Sequence, residues 1–454
     1  MKRWADKSDA WENTTTPAEK LMVISAKTRG DRVIWSIVAF LTILSLLAVY
    51  SATGSLAYKY NKGNTEYYLY KQIAFIAAGV GIIYFTHLLN YRWFSRFALW
   101  LYIISIPLLL FTLIFGANLN DASRWIKLPI VNQTLQTSDV ARLALFMYLA
   151  RLLSRKQRHI TDFKKGYLPL LGPVLLTCAL IAPANLSTCL LTGATGLMVI
   201  FMGGASIRHI VGTIFIALVP VILLVGIAMA TYKPAAPLTT EQQQDAYVGL
   251  KRTGRIGTWI SRIQDFIYAK GDEVPHQLMQ AKIAIAKGQW FGRGPGNSEQ
   301  RNFLPHPYSD FIYAIIVEEY GFIGGVLLVL LYMLFLYRCI KLLQKFPYAF
   351  GTFLAMALSI TLATQAIANM AVNVGLVPVT GVTLPLVSMG GTSMLFTCFA
   401  IGTILSVARN AELLEGKAQA QKAADNTAIE QEEDEEEQQR EDIESAKQEG
   451  GAHA

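Results

Sequence analysis

Apolar runs of about 20 residues, the length a bilayer's hydrocarbon core demands of a helix, recur along the chain. They fall near 33–53, 69–89, 96–117, 139–153, 167–183, 187–205, 208–231, 309–337, 348–373 and 384–408. Lipid offers backbone groups no partner, and a barrel would alternate with period two, so each run is read as a helix. The fourth is short and carries Arg142. Short loops rich in basic residues (Arg92 and Arg96; Arg155, Lys156, Arg158, Lys164 and Lys165; Arg208; Arg338, Lys341 and Lys345) alternate with loops poorer in them. By the positive-inside rule the basic loops and both termini face the cytoplasm. The expected fold is an all-α polytopic integral membrane protein of about ten transmembrane helices.

The segment 232–308, between spans seven and eight, then lies outside as a large extracytoplasmic loop. It is basic, but long loops translocate largely regardless of charge. Trp259, Ile260, Ile263, Phe266 and Ile267 recur at helical spacing, and Leu278, Ile283, Ile285 and Trp290 do so more loosely. Amphipathic helices at the membrane surface are expected. Three regions follow: a polar, basic N-terminal segment over 1–32, a transmembrane domain over 33–409, and a tail over 410–454.

Composition sharpens this picture. The chain is 53% hydrophobic and 16% charged, against roughly a quarter charged in soluble proteins. Its formal charge of +8 conceals an asymmetry, since residues 411–454 carry a net −10 and the remainder +18. A basic membrane body suits anionic lipid or phosphate partners; the plainer reading is that many of these charges only set topology. Glu430 to Glu449 is acidic and without aromatics, a composition that cannot bury a core and is expected to be disordered. Cys178, Cys189, Cys339 and Cys398 lie in or beside apolar runs and form no CxxC pair, so they read as small buried hydrophobes. No cleavable leader is expected, because the first span would itself direct insertion.

Candidate chemistry concentrates between Gly288 and Gly325. Asp310 stands where a polar, glycine-punctuated loop enters an apolar run. It is either a helix cap, favoured there by the helix dipole, or a working carboxylate. Glu318 and Glu319 follow roughly 12 Å deeper along the helix, at a depth where ionisable groups face protein or a wet cavity; they pair with arginine or orient Asp310. Arg124 and Lys127 flank Trp125 before span four, as phosphate ligands or as interfacial anchors. Asn373 to Gly391 and Pro183 to Thr188 break the helical pattern on the same outer side. Irregular backbone at membrane depth is tolerated only where protein or a cavity surrounds it. Four such segments converging on one face point to a site there. No GxxxxGK[ST], HExxH or Ser/His/Asp arrangement is present, which leaves an NTPase or protease unsupported, and nothing suggests a nucleic-acid partner.

Four segments, in order, carry a resemblance: SRWIKLP with LQTSDVARLALFMYLAR; PANLST; GRGPGNSEQRNFLPHPYSDFIYAIIVEEYGFIGG; and NVGLVPVTGVTLPLVSMGGTS. Together they resemble the SEDS family of bacterial membrane proteins, FtsW, RodA and SpoVE, from about span one to Arg409. PVTGVTLP and the extended N-terminus are closer to FtsW or SpoVE than to RodA, with an elongation-type RodA role as the alternative. The resemblance implies a peptidoglycan glycosyltransferase that polymerises lipid II, a disaccharide-peptide on undecaprenyl pyrophosphate, at the outer face of the cytoplasmic membrane. It implies work at the division septum with a class B penicillin-binding protein and other divisome proteins. The family's essential aspartate falls on Asp310, as general base on the acceptor hydroxyl.

Arg124, Lys127, Arg142, Arg255, Arg293 and Arg301, with Ser388, Gly390 and Gly391, become candidates for holding substrate. Glu318 and Glu319 become candidates for support. A divalent cation, Mg or Mn, would suit a pyrophosphate leaving group, its ligands unknown. The chain departs from the family at His306, where Glu is usual, at Tyr308, where His is usual, and at Met389, where Tyr is usual. Arg142 stands for a common lysine. A lipid II flippase and a non-catalytic divisome scaffold remain rival readings, because a basic outer cavity serves translocation as well as catalysis.

Overall fold

The computed structural model describes residues 30–54, 66–119, 122–128, 133–232, 254–268, 275–344 and 348–414. The N-terminal segment, most of the tail and part of the long loop lie outside the described residues, as do the side chains of Arg124, Lys127 and Arg255. The residues fall into two units, one of 31–407 and one that includes Gly30 and 408–414. The site lies wholly in the first.

A helix stands at each of the ten apolar runs. In chain order these are α1 (Arg32–Ala52), α2 (Glu66–Leu88), α3 (Tyr91–Phe115), α4 (Thr137–Lys156), α5 (Leu168–Ile181), α6 (Leu186–Met202) and α7 (Ile207–Ala230). Two amphipathic helices follow in the long segment, α8 (Gly254–Tyr268) and α9 (His276–Gly288). The chain closes with α10 (Ile312–Gln344), α11 (Ala349–Asn373) and α12 (Thr392–Leu414). Eight of the ten, with α5 counted from Phe163, are long and apolar enough to cross a membrane. The exceptions are α6, apolar but shorter, and α4, which carries Asp139, Arg142, Arg151, Arg155 and Lys156. This is a polytopic α-helical membrane protein.

Several boundaries differ from the sequence expectation, each for a local reason. Helix α3 starts at Tyr91, not 96, because Asn90 caps it by accepting from the Arg92 N–H at 3.1 Å. The last helix starts at Thr392, not 384, because Pro385, Gly390 and Gly391 keep the preceding stretch irregular. The segment before α4, expected as a loop, is a three-stranded antiparallel sheet of β1 (Ala117–Leu119), β2 (Ala122–Leu128) and β3 (Gln133–Gln136). Trp125 pairs with Gln136 and Lys127 with Thr134.

Helix α11 is the centre. Within its apolar window 83% of residues are buried, against 6% for α7, so α11 is surrounded by protein and α7 faces lipid. Helices α4, α6 and α10 pack on α11. Helix α8 docks on α7, where Gln264 Nε2 donates to the Ala228 carbonyl at 2.8 Å.

Candidate active site

Three amides occupy one face of the buried helix α11: Gln365, Asn369 and Asn373, spaced four apart and therefore stacked. A buried amide without a partner is costly, and these are bonded. Gln365 Nε2 donates to the Thr383 carbonyl at 3.0 Å, and Asn369 Nδ2 to the Val382 carbonyl at 2.7 Å. They hold the irregular segment 374–391 against α11. Asn369 Nδ2 and Asn373 Nδ2 also donate to the Asp310 carbonyl, at 2.8 and 3.0 Å. Asn373 Oδ1 accepts from the Ala314 N–H at 3.1 Å. The Ala314 N–H in the first turn of α10, which also donates to the Phe311 carbonyl at 3.1 Å, is thus shared with another helix.

Asp310 is therefore fixed through its main chain, and its carboxylate is half-buried. Ser309 Oγ donates to Asp310 Oδ1 at 2.8 Å. The neighbouring wall is the irregular segment, where a Cβ placed on Gly381 would stand 3.4 Å from Asp310 Oδ2. Ser388 ties the two chains together, its Oγ donating to the Ser309 carbonyl at 2.6 Å and accepting from the Leu384 N–H at 2.8 Å. Met389 N–H donates to the Tyr308 carbonyl at 2.9 Å. Gly390 and Gly391 turn the chain into α12, with the Ser393 N–H donating to the Gly390 carbonyl at 3.2 Å. At two of the positions where the chain departs from the family pattern, His306 Nδ1 and Tyr308 Oη lie 3.2 Å apart.

Two cations face this region. Arg142 Nη2 donates to Gln365 Oε1 at 2.6 Å and pairs with Asp139 Oδ1 at 3.5 Å. Asp139 also accepts from Ser393 Oγ. On α8, Arg262 Nη1 donates to the Val379 carbonyl at 3.1 Å. Burial lowers the Arg262 guanidinium below its ordinary value, while the charges of Asp310 and Asp265 act to raise it. Burial also pushes the neighbouring Asp265 carboxyl up, opposed by Ser261 and Arg262.

The remaining candidates form a second cluster that holds the loop before Asp310. Glu318, fully buried, accepts from Ser298 Oγ and from the N–H groups of Glu299 at 3.1 Å and Gln300 at 3.3 Å. Glu319 accepts from Ser51 Oγ and from the backbone of Gly296 and Ser298. Arg301 Nη1 donates to the Ser51 and Gly296 carbonyls, both at 3.0 Å. Arg293 and Lys287 grip Glu299 at 2.8 and 2.6 Å, and these cations hold its exposed carboxyl below the usual range. The hydrogen bonds of Glu318 and Glu319 thus reach the loop and α1.

Asp310, Arg142, Ser388, Gly390 and Gly391 share one neighbourhood, and Arg293, Arg301, Glu318 and Glu319 another. Sequence reasoning missed Gln365, Asn369, Asn373 and Arg262 as site residues. The first three carried a signal, namely polar residues four apart in an otherwise apolar run. Arg262 was one basic residue among many in the loop. Among the described residues no group of three His, Cys, Asp or Glu side chains converges to hold a metal ion. The described side chains thus assemble no ligand set of that kind for a divalent cation.

A polytopic helical bundle with a carboxylate at a broken helix entry defines a class of membrane protein, and the chain's relatives define which. The family model for FtsW, RodA and SpoVE cell cycle proteins matches residues 31–413. The chain belongs to that family. It is 32% identical over 388 residues to stage V sporulation protein E of Bacillus subtilis (strain 168), covering 84% of this chain and 98% of that one. It is 30% identical over 393 residues to the probable peptidoglycan glycosyltransferase FtsW of Trichlorobacter lovleyi, covering 85% and 96%. A solved structure described as the structural coordination of polymerization and crosslinking by a peptidoglycan synthase complex superposes with a TM-score of 0.60. It is 25% identical and covers 84% of this chain and 98% of that one.

Proposed function

We propose that this protein is a peptidoglycan glycosyltransferase that polymerises lipid II at the outer face of the bacterial cytoplasmic membrane during cell division. Asp310 is the general base. Its carboxylate takes the proton of the acceptor sugar hydroxyl, and that oxygen attacks the anomeric carbon of the donor. The bond from that carbon to the pyrophosphate oxygen breaks, and undecaprenyl pyrophosphate leaves. Fixed positive charge near the leaving group stabilises the developing anion. Arg142 and Arg262 are the cations that fit this role, because they surround the same segment as Asp310.

The observation that carries the reading is the anchoring of Asp310 at the start of α10. Asn369 and Asn373 pin its main chain, and Asn373 also accepts from the Ala314 N–H. The carboxylate is thus held beside an irregular segment that lines the bundle's end. In this reading the chain makes ten spans with both termini cytoplasmic, a cytoplasmic segment over 1–32 and an acidic cytoplasmic tail over 410–454. It works at the septum beside a class B penicillin-binding protein that cross-links the new strand. The family relatives described as probable peptidoglycan glycosyltransferases support the polymerase assignment, and the peptidoglycan synthase complex supports the cross-linking partner.

Asp310→Asn tests the proposal. Asparagine keeps the shape and the capping ability but cannot accept the hydroxyl proton. Near-normal thermal stability with glycan synthesis from lipid II reduced on the order of 100- to 10,000-fold is expected. Robust synthesis by the variant would remove Asp310 from the chemistry. A flippase would polymerise nothing before or after the change.

A further inference from the structure

The chemistry proposed above sits at one end of the bundle, and a second polar site lies at the other. A cavity of about 440 Å3 opens there, lined by Tyr91, Arg92 and Arg96 of α3, Arg151 and Ser154 of α4, and Tyr348 at the start of α11. Tyr348 precedes the stretch of α11 that reaches Asn369 by 21 residues, about 30 Å along the helix, which is the thickness of the hydrocarbon core. This cavity therefore lies at the membrane interface opposite Asp310.

Its walls have a specific chemistry. Arg92 and Arg96 stand four apart and share one face of α3, and Arg151 faces them from α4. None of the three forms an ion pair among the described residues, and no carboxylate lines the cavity. Tyr91 and Tyr348 stack with ring centroids 6.3 Å apart beside Arg92 in the cavity wall. Arg96 lies 5.2 Å over the ring of Trp93, an indole placed as interfacial anchors are. Topology alone asks only for positive charge in the loops. It does not ask three guanidiniums to converge on one cavity, where they repel each other unless an anion joins them.

We propose that this cavity binds the phosphate of an anionic phospholipid headgroup from the leaflet opposite Asp310. Arginine forks bind phosphate oxygens bidentately, and the Ser154 hydroxyl and the tyrosine ring edges suit a glycerol headgroup. The acyl chains extend along the lipid-facing side of α3, where Trp100, Ile103 and Ile104 are exposed. A free phosphate would share the arginines but gain nothing from that apolar side, so a lipid is the occupant. The inference is independent of the reading of Asp310.

The test uses the full chain purified in a zwitterionic detergent. Short-chain phosphatidylglycerol, short-chain phosphatidylcholine and inorganic phosphate are titrated separately, with native mass spectrometry and thermal stability as readouts. Retained phosphatidylglycerol adducts with a rise in melting temperature are expected, with phosphatidylcholine and phosphate inactive. Arg92→Gln with Arg151→Gln should weaken that binding about tenfold or more, the scale of lost charge-assisted hydrogen bonds, at unchanged stability without lipid. If the pair disturbs folding, Arg96→Gln alone serves, with the same loss expected. Equal binding of the two lipids, unchanged affinity in the variants, or displacement of the lipid by millimolar phosphate would each overturn the proposal.

Discussion

Gly292 and Gly321 stand back to back, each with a left-handed backbone (φ 79° and 71°) and each too close to the other for a side chain. A Cβ on Gly321 would fall 2.4 Å from the Gly292 nitrogen. The helical run of α10 breaks at Gly321, and the freed backbone groups pair with the loop. Arg293 and Gly294 N–H groups donate to the Glu318 and Glu319 carbonyls, both at 3.0 Å, and Phe322 N–H donates to the Gln289 carbonyl at 2.7 Å. A broken helix inside a membrane protein is tolerable because its polar groups are satisfied in this way.

Gly321→Ala is therefore expected to destabilise the protein. The left-handed conformation alone costs a non-glycine residue about 1–3 kcal/mol, and the backbone clash adds to it. Loss of thermal stability in detergent checks this, with Gly212→Ala in α7 as the comparison, since a Cβ there meets nothing within 4 Å. Equal stability of the two variants would contradict the strained junction.

Asn369→Leu removes the donor that bridges Asp310 and Val382. The Val382 carbonyl loses this donor, and a buried carbonyl left unpaired costs about 1–3 kcal/mol. Polymerisation should fall by more than the stability loss explains, because the Asp310 main chain keeps only one of its two anchors, Asn373. Measured at a temperature where the variant is fully folded, a turnover equal to the parent's would show that Asn369 positions nothing.

Glu318→Ala strips the acceptor from Ser298, Glu299 and Gln300. Faster hydrogen exchange across 296–301 is expected, with little change in α11. Each buried donor left unpaired costs about 1–3 kcal/mol, so the melting temperature should drop as well. Unchanged exchange in that loop would show that the carboxylate does not hold it.

Topology is open to a direct check in a cysteine-free background. Gln157 and Asn302 are both exposed, at opposite ends of the bundle. An impermeant thiol reagent on intact spheroplasts should label Asn302→Cys and spare Gln157→Cys. The reverse pattern would invert the whole placement.

The ten helices were legible in the sequence because length and apolarity are local properties, and a bilayer filters for them directly. The two amphipathic helices of the long segment were legible for the same reason, since Trp259, Ile263 and Phe266 repeat with the helical period. The small sheet was not, because β1, β2 and β3 become strands only by pairing with each other. The roles of the buried polar residues were likewise decided by tertiary structure. Glu318 and Asp310 look alike from the chain, eight residues apart and both acidic. Only the fold gives Glu318 the loop N–H groups to bind and leaves Asp310 beside segment 374–391. Asn369 and Asp310 are 59 residues apart, yet one amide joins them. A buried polar group must find a partner somewhere, but nothing local says where, and in this protein those distant partnerships build the site.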